Sequence, residues 1–444
     1  MKEIGQISAE IGKESYAVGG LVRDFLLNIP SDDLDITSDD IDALSYEIKK
    51  KGGKIVDKQS DRFMSKIIYY RGLKIDLVAP RKESYTSNSI KPSVNQGTFN
   101  DDAHRRDFTV NALYFDLHPD RFMNVVDLTG TGIYCLNKKI LDTPLDPIQT
   151  FKDDPSRMLR GVRFAATKGF NLSHRVMNAI YDLRQLIFKV PFEIIHNEIL
   201  KGAVSPDYFR VMDEVGLTDV LFPEVTAGKE IHQIPEYHTQ NVYEHILRTT
   251  EELNTNRSIL RIATFLHDIG KVPADDGTGH FYEHIPKGVP LAEEILRKYK
   301  FSNNEIKYVK KMIRHHHDFH NLMNTRLRDY EHSRTLRRIV TRFSNEFIQD
   351  LLSHTRADIL SDRPQWKNSL RKLNEIEDAI DVIQLNIAIE NSKEKLTVNG
   401  YDIMDLGYEG PEIGRIKHEL QNLVDEGIIP NNRETLLAKL QEFS

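Results

Sequence analysis

The chain has 444 residues, about three times an ordinary domain length, so three or four packed units are expected. Hydrophobic residues make up 39% and charged residues 29%, which suits a buried core, and no apolar run nears the roughly 20 residues that span a bilayer. The net charge of −7 excludes a generally basic nucleic-acid coat, though not a local basic groove, and the single cysteine, Cys135, excludes an intramolecular disulfide framework.

The first residues lack the charged-then-apolar pattern of an export signal, so the expected location is cytoplasmic. Val18 closes a short apolar run, and Gly19-Gly20 turns into a helix carrying Val22, Phe25, Leu26 and Leu27. Leu34-Asp35-Ile36 reads as a strand. Residues 39–50 read as a helix with Ile41, Leu44 and Ile48 on one face. Lys49, Lys50, Lys51 and Lys54 form its solvated end. Lys66–Tyr70, the turn Arg71-Gly72 and Leu73–Ala79 predict a hairpin. Residues 81–99 are polar without helical periodicity and predict a long surface loop. From about residue 150 helical periodicity dominates. The expected class is α+β: a mixed-sheet head with helices, then an elongated all-helical body. Soft boundaries give a head at 1–145, a helical neck at 146–225, a histidine-rich unit at 226–370 and a helical tail at 371–444.

Asp33 and Asp35 stand i, i+2 on the predicted strand, which aims both at one face. Paired carboxylates repel unless a cation lies between them, and Mg²⁺ takes oxygen ligands together with phosphate. Upstream, the Gly19-Gly20 turn opens a helix and Arg23 follows, ten residues before Asp33, an arrangement suited to phosphate. Asp76 alternates with Ile75 and Leu77, faces away from the apolar side, and is read as a third carboxylate. Farther on, Asp154-Pro155 looks like a helix start, with Asp154 as its cap. Arg157, Arg160 and Arg163 then fall at i, i+3, i+6, with no acid interspersed before the cap.

These stretches resemble the nucleotidyltransferase superfamily that includes DNA polymerase β, and within it the class II tRNA nucleotidyltransferases and bacterial poly(A) polymerases. Gly19-Gly20-Leu21-Val22-Arg23-Asp24 followed by Asp33 and Asp35 is similar to the family's first motif. Residues 105–112 (RRDFTVNA) and 153–163 (DDPSRMLRGVR) are similar to two more, with Asp153 where the family often has Glu. The resemblance implies a polymerase-β-like head in which Asp33 and Asp35 hold Mg²⁺. It implies that Gly20, Arg23, Arg106, Asp154, Arg157, Arg160 and Arg163 contact the nucleotide. It also implies template-independent completion of the tRNA 3'-terminal CCA from CTP and ATP.

Elementary chemistry agrees with that choice of bases. Cytosine and adenine each present an amino donor beside a ring-nitrogen acceptor, whereas guanine and uracil present a carbonyl and an N–H. An Asp–Arg pair matches the first pattern and leaves polar groups unpaired against the second, at about 1–3 kcal/mol each. A flexible loop like 81–99 accompanies terminal A addition in the resembled enzymes. The alternatives are a bacterial poly(A) polymerase, or an enzyme adding only CC or only A. The mixed charge of residues 426–444 speaks against the polymerase, which carries a basic tail.

Ten of the 17 histidines lie between His232 and His320, and none has local zinc-finger spacing. His245, His267-Asp268, His284, His316 and Asp358 resemble the HD phosphohydrolase superfamily, and residues 284–288 resemble its H-x-x-x-G stretch. The resemblance implies one metal on His245, His267, Asp268 and Asp358, with His284 and His316 serving a second. Ni²⁺, Co²⁺, Mn²⁺ and Mg²⁺ all suit imidazole and carboxylate donors. It also implies activity on 2',3'-cyclic phosphates. Partners expected are the tRNA 3' end, CTP and ATP, with no membrane; monomer and homodimer both stay open.

Overall fold

The computed structural model describes residues 1–31, 33–60, 64–86, 89–232, 240–325, 330–361, 367–392 and 395–442. In chain order the head's strands are β1 (Ser15–Val18), β2 (Asp35–Ser38), β3 (Lys54–Ser60), β4 (Ser65–Tyr70), β5 (Leu73–Val78), β6 (Arg81–Thr86), β7 (Ser89–Gln96), β8 (Leu113–Asp116) and β9 (Val125–Asp127). Seven of them form one sheet in the order β3-β4-β5-β2-β1-β8-β9. β2 and β5 run parallel and the other neighbours antiparallel, so the sheet is mixed, as expected. Ile36, Ile68, Ile75 and Leu77 pack with Val22, Leu44 and Ile48 into the head's core.

The β4–β5 hairpin closes where the sequence puts it. Arg71 (φ 51°) and Gly72 (φ 80°) are both left-handed, which gives the tight turn the twist of its strands. The helix Ile41–Lys50 starts from Asp40, whose side chain accepts from the Ala43 N–H at 2.9 Å. Two expectations are corrected. Residues 81–86 and 89–96 form two antiparallel strands, β6 with β7, rather than a loop without structure. Their cross-strand bonds carry no helical periodicity, and their polar sequence hides the alternation. The second concerns β2, which begins at Asp35, so Asp33 lies just before the strand rather than within it.

Helices dominate from Pro147 onward. The chain divides into two compact units, residues 1–317 with 353–366, and residues 318–352 with 367–444. In the second, Val398, Ile403, Ile416, Leu420, Leu436 and Leu440 form a small core. Among the described residues no helix is long and apolar enough to cross a membrane.

One buried cation ties the first unit together. Arg261 is 1% exposed and donates to the carbonyls of Ala203 (3.0 Å), Thr250 (2.6 Å) and Thr255 (2.8 Å). Burial pulls its guanidinium down to about 10. Arg261→Met would leave three carbonyls without their donors at about 1–3 kcal/mol each. It is therefore expected to destabilise the protein by at least about 3 kcal/mol, read as a lower Tm. An unchanged Tm would remove Arg261 from this role.

Candidate active sites in the head and the histidine cluster

The head's site grows from strand register. Asp35 and Asp76 are direct partners across the parallel β2–β5 pair, so their side chains share a face. Asp76 alternates with the buried Ile75 and Leu77, as predicted. The exposed Asp33 lies close enough to act on Asp35 electrostatically. Burial, reinforced by Asp76 and Asp33 and opposed by Arg106, pushes the Asp35 carboxyl above its ordinary value. Lys74 Nζ reaches Asp76 at 2.8 Å. Three carboxylates so crowded are short of positive charge, and their all-oxygen chemistry fits Mg²⁺.

Above them sits the glycine turn. Gly19 has φ 82° and ψ −140°, a conformation open essentially to glycine alone. A Cβ there would lie 3.3 Å from Asp35 Oδ2 and 3.6 Å from Arg106. Gly19 as well as the predicted Gly20 therefore lines the site. Gly20 starts the helix, and a Cβ on it would meet Arg23 at 3.6 Å.

Arg23 turns inward. It donates to Asp24 Oδ1 (2.8 Å) and Asn111 Oδ1 (2.6 Å) and lies over the Phe164 ring at 4.8 Å. Asn111 in turn donates to Asp107 Oδ1 at 2.9 Å, and Asp107 Oδ2 accepts from Arg160 at 2.8 Å. A relay of polar groups thus joins the glycine-turn helix, the 105–112 stretch and the arginine helix. Arg106 donates to Asp102 Oδ2 at 2.9 Å, and its charge and that of Arg105 outweigh burial to bring Asp102 down to about 2.

The arginine helix runs Ser156–Lys168, and a separate helix, Pro147–Asp153, ends just before it. Asp154 sits between them. Its Oδ1 accepts from Ser156 N (3.0 Å) and Oγ (2.6 Å), so it holds the first residue of the helix although Pro155, not the expected Asp154, is the N-cap. Its Oδ2 stands 3.8 Å from Arg157 Nε, and the side chain is 35% exposed. One oxygen holds Ser156 while the other faces the arginine. The acid-free stripe is corrected by the fold, because each arginine meets an acid from another element. Arg157 lies 3.9 Å from Glu83, Arg160 2.6 Å from Asp107 and Arg163 2.6 Å from Glu198. Partners 35 to 74 positions away are invisible to local periodicity. Glu83, on β6, also binds Arg105 at 3.0 Å, so the β6–β7 pair is tied to the arginine helix.

The second cluster is assembled from distant segments. His245 comes from the helix Val242–Glu252, His267 and Asp268 from the turn after Ser258–Phe265, and His284 from the start of His284–Lys298. His316 caps Asn303–His315, and Asp358 lies in Asn345–Ser361. Gly270 and Gly288 allow the close approach. A Cβ on Gly270 would fall 1.9 Å from the His284 carbonyl and 2.5 Å from Gly288 N.

Asp268 is the hub. Its Oδ2 lies 3.1 Å from His267 Nε2 and 3.5 Å from His245 Nε2; its Oδ1 lies 3.7 Å from both His284 Nε2 and His316 Nε2. His245 Nε2 is 3.0 Å from Asp358 Oδ1. The other ring nitrogens are already committed. Nδ1 of His267, His284 and His316 meets the carbonyls of Thr264, Phe281 and Ile313 at 2.6, 2.6 and 2.8 Å. A carbonyl only accepts, so each Nδ1 carries the proton and each Nε2 offers a lone pair inward. His267 Nε2 and Asp268 Oδ1 are buried without a hydrogen-bond partner among the described residues. These donors fit divalent metal.

Without metal, bonds to Asp268 and Asp358 overcome burial and raise His245 to about 9, while burial takes His316 down to about 4. Two histidines were missed in the sequence. His317 groups with His284 and His316. His354 packs its ring 4.9 Å from that of His267. The signals were the His315-His316-His317 run and the i, i+4 spacing of His354 to Asp358.

Comparison with known proteins finds a family match over each of two stretches of the chain. Residues 15–142 match the poly A polymerase head domain and residues 236–347 the HD domain. A tRNA nucleotidyltransferase of Schizosaccharomyces pombe is 34% identical over 254 residues, 52% of this chain and 52% of its own length. A CCA-adding enzyme of Lactobacillus helveticus is 33% identical over 236 residues, 52% of this chain and 56% of its own. The chain thus spans about half the length of these curated relatives. The CCA-adding enzyme of Thermotoga maritima, solved in complex with tRNA, superposes with a TM-score of 0.59 at 20% identity, covering 100% of this chain and 94% of that one. The chain therefore carries a poly A polymerase head domain followed by an HD domain, on the fold of CCA-adding enzymes.

Proposed function

We propose that the chain is a tRNA nucleotidyltransferase that completes the 3'-terminal CCA from CTP and ATP. The observation that carries this reading is the register that sets Asp35 beside Asp76 under the Gly19 turn. Asp33 and Asp35 hold Mg²⁺, and Asp76 completes the acidic face where the RNA 3'-hydroxyl meets the α-phosphorus. Bound there, Mg²⁺ supplies charge neutralisation for the α-phosphate and the departing pyrophosphate. Gly20, Arg23, Arg106, Arg160 and Arg163 contact the nucleotide, the four arginines held in place by Asn111, Asp102, Asp107 and Glu198 respectively. Asp154 accepts from the exocyclic amino group and Arg157 donates to the ring nitrogen. The β6–β7 pair, joined to Arg157 through Glu83, supports addition of the terminal A as well as CC.

The deciding assay gives the protein tRNA lacking its 3' end, with each nucleoside triphosphate alone and together, and sequences the products. CCA ends are expected. Oligo(A) tails or a halt at CC would replace this reading with the poly(A) or partial one. In the same assay Asp154→Ala is expected to raise U and G incorporation relative to C and A by roughly tenfold or more, the worth of one unsatisfied group. Strict C and A selection at reduced rate would leave Asp154 only its hold on Ser156.

For the HD domain we propose a metal-dependent phosphohydrolase acting on 2',3'-cyclic phosphates at RNA ends. Its site is the ring of imidazoles around Asp268, with Ni²⁺, Co²⁺, Mn²⁺ or Mg²⁺ on His245, His267, Asp268 and Asp358, and on His284 and His316.

A further inference from the structure

The second unit carries an unusual helix, Arg334–Arg342, with the sequence RTLRRIVTR. Leu336, Ile339 and Val340 are buried, and Arg334, Arg337, Arg338 and Arg342 are exposed. Arg334, Arg338 and Arg342 repeat at i, i+4, i+8, so they form one ridge with steps of about 6 Å along the axis. None of these three makes an ion pair among the described residues. The helix has no acidic residue at all, in a chain of net charge −7.

Ordinary solvated helices intersperse both signs, and they place acids rather than bases in the first turn. Here Arg334 occupies the first position, against the helix dipole. The ridge is therefore kept at the expense of the helix's own preference. A row of unpaired guanidiniums on a rigid element matches a polyanion with regularly spaced charges, and guanidinium pairs well with phosphate oxygens. From this geometry we infer that the ridge Arg334–Arg338–Arg342 docks the phosphate backbone of the RNA substrate. The inference rests on the proposed RNA substrate. It assigns holding of that substrate to a surface outside both chemical centres, with contacts that are blind to sequence.

The test uses the full chain, as wild type and as R334Q/R338Q/R342Q. Affinity for tRNA lacking its 3' end is measured from about 50 to about 200 mM salt, and nucleotide addition is measured in parallel. Each lost phosphate contact flattens the slope of log K against log salt by about 0.7–0.9. The triple variant is expected to lose about two to three from the slope and at least about tenfold in affinity. Its KM for tRNA should rise while kcat at saturating tRNA holds. R334K/R338K/R342K, which keeps the charge, should restore the slope. Arg415→Gln, an exposed control on another helix of the same unit, should leave it unchanged. An unaltered slope and affinity in the triple variant would overturn the inference, as would wild type that does not bind tRNA. Loss of binding to phosphatidylserine vesicles with tRNA binding intact would give the ridge to a membrane surface and overturn it equally. Tight, salt-dependent tRNA binding without nucleotide addition in wild type would instead overturn the proposed transferase and leave the ridge supported.

Discussion

Asp35→Asn is expected to cut nucleotide addition by at least about a thousandfold, the loss that follows from about 4 kcal/mol of transition-state stabilisation. The substitution keeps the shape and removes the charge. The argument starts from the register, in which Asp35 and Asp76 are neighbours on parallel strands and Asp33 approaches from the preceding residues. In the proposed transferase a cation offsets the repulsion of the three carboxylates, and the same cation serves the reaction at the α-phosphate. Stability should move the other way. The Asp35 carboxyl lies above its ordinary value because of burial and its acidic neighbours. An acid whose folded pKa exceeds the unfolded one binds more protons when folded, so its ionisation costs stability as pH rises through that range. The asparagine variant should therefore keep or raise the wild-type Tm at neutral pH and still bind tRNA. Addition above a few per cent of wild type would remove Asp35 from the metal site. A lower Tm would show that the carboxylate serves the fold instead.

Much of this was legible because the informative patterns are local. Alternation around Asp76 fixed its face, Arg71-Gly72 fixed a hairpin, and the glycine turn before Asp33 and Asp35 does lie beside Asp35. What escaped depends on partners far away in the chain. The arginines of residues 157–163 looked free because Glu83, Asp107 and Glu198 come from other elements. The β6–β7 pair looked like a loop because its strands form a two-stranded sheet of their own, outside the seven-stranded one. Gly19 was overshadowed by Gly20, although its backbone is the one that only glycine adopts readily. Among the histidines, spacing identified those that carry the HD pattern. It did not reveal His354, whose proximity to His267 needs the helix Asn345–Ser361 to pack beside the HD turn.

Asp268→Asn is expected to abolish metal binding and phosphohydrolysis and to leave nucleotide addition unchanged. Asp268 is 1% exposed and faces His245 and His267 with one oxygen, His284 and His316 with the other. Because Asp268 reaches both pairs, one substitution acts on both halves of the site. The single variant also leaves Lys271 in trouble. Its Nζ lies 2.6 Å from Asp268 Oδ2 and the residue is 7% exposed, so the change removes a charge partner from a buried cation, a loss of up to about 3–5 kcal/mol. A fall in stability by that route would imitate a lost site. The double variant Asp268→Asn with Lys271→Met removes that cation as well. It should recover most of the Tm of metal-stripped wild type while still binding no metal. Metal-stripped wild type reloaded with Ni²⁺, Co²⁺, Mn²⁺ or Mg²⁺ should gain Tm, hold ions by elemental analysis and hydrolyse a 2',3'-cyclic phosphate. The double variant should do none of these and still add nucleotides to tRNA. Metal retained by the double variant would move the ligands elsewhere. Wild type that takes up none of the four ions would mean that the lone pairs converging on Asp268 serve packing and hydrogen bonding alone. Loss of nucleotide addition in a well-folded double variant would contradict the separation of the two chemistries, since the carboxylates of the head and the imidazoles of the HD domain share no residue.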